Sequence, residues 1–250
     1  MKTFITLLLI LMTAKSVQAQ KIFMENNKYG IQDTEGKVIV SPQYDEIKET
    51  SLIEKKLFDN EGCWRVSLNG KWGFIIGNGK KLTEIKYDQI HHFSTGGLAC
   101  IQLNKKWGFV DTTGKEIVSC KYDEHTSYSE GCYGVKLGDK WGFIDSTGKE
   151  IIPPKFEDPF QSVNSYEFNG GLSPVKVDGK LGFIDKTGKL VLPAIYTKVK
   201  YGFTEGNNEY AYVALGDELD SKYVYIDKSG NIVKKKIVDK ANKLILENKK

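Results

Sequence analysis

The stretch from Lys140 to Lys149, read Lys-Trp-Gly-Phe-Ile-Asp-Ser-Thr-Gly-Lys, returns again and again along this chain, and its period constrains the fold more than any other feature. Near copies begin at Trp107 (WGFVDTTGKEIV) and Leu181 (LGFIDKTGKLVLP). Aligned on the aromatic, the repeat has anchors at Tyr29, Trp72, Trp107, Trp141, Leu181 and Tyr223, spaced 43, 35, 34, 40 and 42 residues apart. A period in this range belongs to propellers, solenoids and arrays, in which no unit buries its apolar face alone.

Each unit has the same internal grammar. An apolar run opens it, as in Gly97 to Leu103. A tight-turn pair follows: Asn26-Asn27, Asn69-Gly70, Gly138-Asp139 or Asp178-Gly179. Such residues tolerate positive φ and suit two-residue hairpins. The anchor strand alternates Trp141, Phe143 and Asp145 on one face with Gly142 and Ile144 on the other, so both faces of its sheet need cover. The Asp-x-x-Gly segments then read as type I turns closed by a left-handed glycine: Asp33 to Gly36, Asp111 to Gly114, Asp145 to Gly148, Asp185 to Gly188 and Asp227 to Gly230. A third strand follows and is expected to stop at Pro42, Pro153 or Pro193, since proline cannot donate to a ladder. An aromatic–acid pair ends the unit, as at Tyr44-Asp45, Tyr87-Asp88, Tyr122-Asp123 and Phe156-Glu157, and Ile47, Ile90 and Phe93 beyond it suit a short outer strand. No segment shows helical periodicity of convincing length.

These units resemble the WG-containing repeat family, named for the dipeptide in Trp72-Gly73, Trp107-Gly108 and Trp141-Gly142. Tyr29-Gly30 and Leu181-Gly182 depart at the aromatic, and Tyr223-Val224 departs at the glycine. The resemblance implies a β-repeat architecture and a binding role, and it carries no catalytic residues.

The expected fold is all-β: tandem antiparallel β-meander repeats in a propeller-like arrangement, with an open curved array as the alternative. Residues 1–19 read as a Sec signal peptide, with Lys2 ahead of the apolar run Ile5 to Met12 and Val17-Gln18-Ala19 before the cut. One domain of six units follows, at about 20–60, 61–94, 95–129, 130–169, 170–209 and 210–250. Without Lys2 and Lys15 the formal charge falls from +4 to +2, too small to argue for nucleic acid, and no later stretch is long and apolar enough to span a membrane.

For function the sequence points to an exported monomer, periplasmic or secreted, that binds a protein or glycan without catalysis or cofactor. An immunity-type inhibitory partner in the periplasm is the alternative. The repeated tryptophans read as packing anchors, because Leu181 replaces one. Trp64 is off that phase and is expected at the surface, so it heads the ligand-binding candidates with His91, His92 and Phe160 in the linkers. His91 and His125 share nearly the same phase, and a metal site with Asp88 or Glu124 is conceivable. Solvated surface histidines are the favoured reading, and no metal ligands are assigned. Phe160 to Asn169 and Thr204 to Asn208 read as surface loops. Cys63 and Cys132 stand nine residues before their tryptophans, where other units carry Leu98 and Leu172, so both read as core thiols. Cys100 and Cys120 are the expected disulfide, if one forms.

Overall fold

The computed structural model describes residues 20–49, 52–58, 62–159, 166–203, 209–216 and 222–233. Residues 1–19, expected to be a signal peptide, Thr204 to Asn208 and residues 234–250 lie outside them. The described chain is a succession of antiparallel meanders, here called blades, of which the fourth and fifth join through the Glu157–Lys176 pair into one seven-stranded sheet. Blade 1 holds β1 (Gln20–Glu25), β2 (Lys28–Asp33) and β3 (Val38–Tyr44). Blade 2 holds β4 (Glu46–Lys48), the short helix α1 (Leu52–Leu57), β5 (Cys63–Leu68) and β6 (Lys71–Ile76), with bridges from Lys81 and Tyr87 in place of a fourth strand. Blade 3 holds β7 (Gln89–Phe93), β8 (Leu98–Leu103), β9 (Lys106–Asp111) and β10 (Glu116–Tyr122). Blade 4 holds β11 (Glu124–His125), β12 (Cys132–Leu137), β13 (Lys140–Asp145) and β14 (Glu150–Glu157). Blade 5 holds β15 (Ser173–Val177), β16 (Lys180–Ile184) and β17 (Leu190–Tyr196), and blade 6 holds β18 (Lys198–Tyr201), β19 (Tyr210–Leu215), β20 (Lys222–Asp227) and β21 (Ile232–Val233).

The all-β repeat is therefore present, and the linker residues Ile47, Ile90 and Phe93 do open the next blade. Among the described residues β1 pairs with β2 alone, so no strand pairing there joins the first blade to the last. The helix α1 was not legible as a periodic pattern, and at six residues it is too short to display one.

The apolar cores lie between blades. Leu98, Cys100, Phe109, Val118 and Tyr122 of blade 3 pack on Tyr133, Val135 and Ile144 of blade 4. Ala99, Ile101 and Val110, the alternate residues of the same strands, pack on Cys63, Phe74 and Tyr87 of blade 2. The same division recurs at the junctions of blades 1 and 2, 4 and 5, and 5 and 6. Strand alternation thus gives each blade a leading face toward its predecessor and a trailing face toward its successor. Cys63 and Cys132 sit buried in trailing-face slots, as their phase requires. None of the four cysteines is in a disulfide. Cys100 points to the trailing face of blade 3, whereas Cys120 packs at its leading face and donates to Ile101 O, so the sheet itself separates the expected pair.

The tryptophan–glycine step has a steric cause. A Cβ on Gly142 would meet Ile152 O at 2.5 Å and Pro154 N at 2.6 Å. The equivalent contacts are Val40 O at 2.5 Å for Gly30, Glu84 O at 2.8 Å for Gly73, Val118 O at 2.5 Å for Gly108 and Leu192 O at 2.7 Å for Gly182. Opposite Gly30, Gly108, Gly142 and Gly182 the last strand bulges: Trp141 pairs with Phe156, but Phe143 pairs with Ile152. The prolines ride on that bulge. Pro42, Pro153 and Pro193 lie inside β3, β14 and β17 and do not end them, because the bulged residues owe no hydrogen bond to the neighbour.

Two polar clasps repeat at the junctions. Asp45 binds Lys28 of its own blade and accepts from Asn69 N in the next blade's hairpin at 2.6 Å. Asp88 does the same with Lys71 and with Asn104 N at 2.7 Å, and Asp123 with Lys106 and with Gly138 N at 2.8 Å. On the trailing faces Tyr87 donates to Glu116 of the next blade at 2.7 Å, with Lys86 beside it, and Tyr122 donates to Glu150 at 2.7 Å, with Lys121 beside it. The Asp-x-x-Gly turns close as read: Asp145 Oδ1 accepts from Thr147 N and Lys149 N, and Gly148 N donates to Asp145 O.

Gly142→Ala is expected to lower unfolding free energy by about 1–3 kcal/mol, the usual cost of overpacking, as read by urea denaturation. The lysine and tyrosine donors hold the Glu116 and Glu150 carboxyls below the usual range. A depressed folded pKa gives stability that is present above the unfolded value and lost as pH falls through the folded one. Melting temperature should therefore drop as pH falls below about 4.3, the unperturbed glutamate value, and Glu116→Gln with Glu150→Gln should shallow that drop.

Candidate functional site

Of the sequence candidates, Trp64 is the clearest correction. It is 4% exposed and packs with Ile31, Val40 and Ile75 between blades 1 and 2. Its Nε1 donates to Gln20 Oε1 at 3.1 Å. Trp64 lies opposite Ile75 on a leading face, the face that the anchor tryptophans do not use. Phe160 lies outside the described residues. The second half of the supposed Phe160–Asn169 surface loop is core: Tyr166 and Phe168 are buried against Trp141 and Phe143. His92 is exposed on β7, with its Nε2 2.8 Å from the Arg65 guanidinium.

His91 belongs to a denser grouping. His91 lies three residues after Asp88, and His125 two residues after the equivalent Asp123. In a strand, one residue of offset reverses the side chain. His91 therefore faces forward from blade 3 and His125 faces back from blade 4, and the two rings meet at 5.1 Å. Trp107 of β9 packs against both, at 4.8 Å and 4.5 Å between centroids. Beneath them Cys100 Sγ is 3.5 Å from His125 Nδ1, which also lies 2.9 Å from Thr126 O. Ligand atoms of His91, Cys100 and His125 all fall within 4.8 Å of one another. Asp88 and Glu124, the sequence's candidate acids, are held by Lys71 at 2.5 Å and Lys136 at 2.8 Å. Sequence phase had paired the histidines but missed Cys100, which looked like half of a disulfide.

Desolvation of the ring, then His125, Arg65 and His92, holds the His91 pKa down at about 4, although one edge of the residue faces solvent. Burial lowers His125 as well, against the raising effect of the Thr126 carbonyl. Both imidazoles are thus neutral at pH 7, with lone pairs to offer. Burial pushes the Cys100 thiol well up, the reverse of the activation that a nucleophilic cysteine needs.

A second unusual surface lies on blade 6, the last of the described blades. The trailing face of blade 6 carries Tyr201, Tyr212, Tyr223 and Tyr225. Tyr212 stacks on Tyr223 at 5.1 Å and on Tyr201 at 6.2 Å, and meets Tyr225 at a tilt at 4.5 Å. Tyr201 is 55% exposed and Tyr223 38%. Tyr223 occupies the anchor slot that Trp107 and Trp141 hold elsewhere, but no following blade covers it among the described residues.

A family model described as WG containing repeat matches residues 29–51, 72–107, 107–141, 141–180 and 182–218. Comparison with curated proteins returned no match. Among solved structures, a crystal structure of the eukaryotic initiation factor is similar at 11% identity and a TM-score of 0.49, over 85% of this chain and 61% of that one. Kluyveromyces lactis Hsv2 is similar at 13% identity and a TM-score of 0.40, over 70% of this chain and 60% of that one. TolB from Acinetobacter baumannii is similar at 14% identity and a TM-score of 0.32, over 82% and 58%. The chain spans about three fifths of each of these structures in length.

Trp64→Ala is expected to act on stability, costing about 3–5 kcal/mol as a buried aromatic truncation. Thermal and urea melts of the variant check this, and an unchanged melt would return Trp64 to the surface.

Proposed function

This chain belongs to the family of WG-containing repeat proteins, and on that premise we propose that it is a non-enzymatic binding or scaffold protein working outside the cytoplasm, with a protein or a glycan as partner. The observation that carries this reading is the tyrosine face of blade 6. Stacked, partly exposed tyrosine rings offer a rigid amphipathic surface at low entropic cost, which suits protein contacts and sugar faces alike. The clasps and turn hydrogen bonds use up most of the repeated polar residues in holding blades together, which leaves the differences between units to recognise a partner. The export reading rests on Lys2, the Ile5 to Met12 run and the small residues before Gln20.

The test uses the protein on a glycan array and as bait in envelope extract, beside the Tyr201→Ala and Tyr223→Ala variants. Capture of a glycan or protein that each variant weakens by about tenfold, a hot-spot-sized loss, is the expected result. A single stoichiometric captured protein whose activity is blocked would identify the inhibitory form of the same role. Turnover in a generic hydrolase panel would overturn the proposal.

A further inference from the structure

We propose that His91, Cys100 and His125 form a binding site for a transition-metal ion of borderline or soft character, of the Zn2+ class, that links blade 3 to blade 4. Two imidazoles and a thiol are the donor set such ions prefer. Their ligand atoms already lie within 4.8 Å of one another. A tetrahedral zinc site needs roughly 3.3–3.6 Å between donors, given its bond lengths of about 2.0–2.3 Å, and the Cys100–His125 pair stands at 3.5 Å. Only small side-chain rotations are needed for His91.

The repeat supplies its own control. The slot of His125 holds Ile47, Ile90 and Val199 in other blades, and the slot of Cys100 holds Arg65, Gly134, Pro174 and Tyr212. The slot of His91 holds Lys48, whose ammonium lies 4.3 Å over the Trp72 ring, as His91 lies over Trp107. The fold thus asks for none of the three residues, yet all three converge at one junction. Among the described residues this is the one group of three histidine, cysteine or acidic side chains with such spacing. Three protein ligands would leave one position of a tetrahedral ion open.

Arg65, beside His92, is an opposing charge. The thiolate offsets it, because a coordinated thiol is deprotonated outright. Binding therefore releases the Cys100 proton, while the neutral imidazoles contribute lone pairs. His125 must also exchange its Nδ1 contact with Thr126 O for the metal or keep it and ligate through the other nitrogen.

The metal-stripped full chain is titrated with Zn2+ by calorimetry in two buffers of different ionisation enthalpy, and with Co2+ by absorbance. One equivalent per chain, proton release, a higher melting temperature and a thiolate-to-cobalt charge-transfer band are expected. His91→Ala and Cys100→Ser should each weaken Zn2+ by about tenfold or more, and Cys120→Ser should not. His91 is exposed, so its variant keeps the fold, as circular dichroism will show. Absence of stoichiometric uptake, or equal affinity in His91→Ala, or a cobalt spectrum without the thiolate band, overturns the site and leaves the cluster as aromatic packing on Trp107.

Discussion

Each blade carries apolar side chains on both faces, and among the described residues this places the apolar clusters at junctions between two blades. Ala99 and Ile101 look back to blade 2, while Leu98 and Cys100 look forward to blade 4. A blade on its own would leave one or both faces wet, so stability is a property of neighbours. The two clasps follow the same rule. Asp88 and Asp123 reach from the end of one blade to the hairpin of the next, and Tyr87 and Tyr122 reach to a glutamate on the next blade's last strand. Exposed ion pairs of this kind add little energy singly. Their use is to fix how far one blade is rotated against the next.

The glycine that follows Tyr29, Trp107, Trp141 and Leu181 belongs to this geometry too. It lets a bulged strand lay its carbonyl against the anchor strand, and the bulge in turn frees prolines to sit where a regular ladder would reject them. One missing Cβ therefore sets the curvature of the last strand, the position of its aromatic and the reach of the clasp that starts there.

Period and turn chemistry made most of this legible. Hairpin pairs such as Asn69-Gly70 and the Asp-x-x-Gly turns are local, so the sequence states them outright. Cys63 and Cys132 were placed correctly because Leu98 and Leu172 share their slot. Trp64 was misplaced because alignment on the anchor strand describes one face, and the leading face has its own register. The prolines were misread because a bulge looks like a strand end in one dimension. The histidine–cysteine group and the aspartate clasps stayed hidden for another reason. Their members come from different units, and only the stacking of blades brings them together.

The parity that brings His91 to His125 has a wider consequence. In an array grown by duplication, a residue copied at one slot always looks the same way, so identical copies never confront each other. Residues at adjacent slots of consecutive copies do. Two point changes in neighbouring copies therefore suffice to create a two-sided site without disturbing any ladder hydrogen bond. Every junction is a separate place to write such a site, and the repeat that erases individuality from the fold is what makes its chemistry open to independent revision.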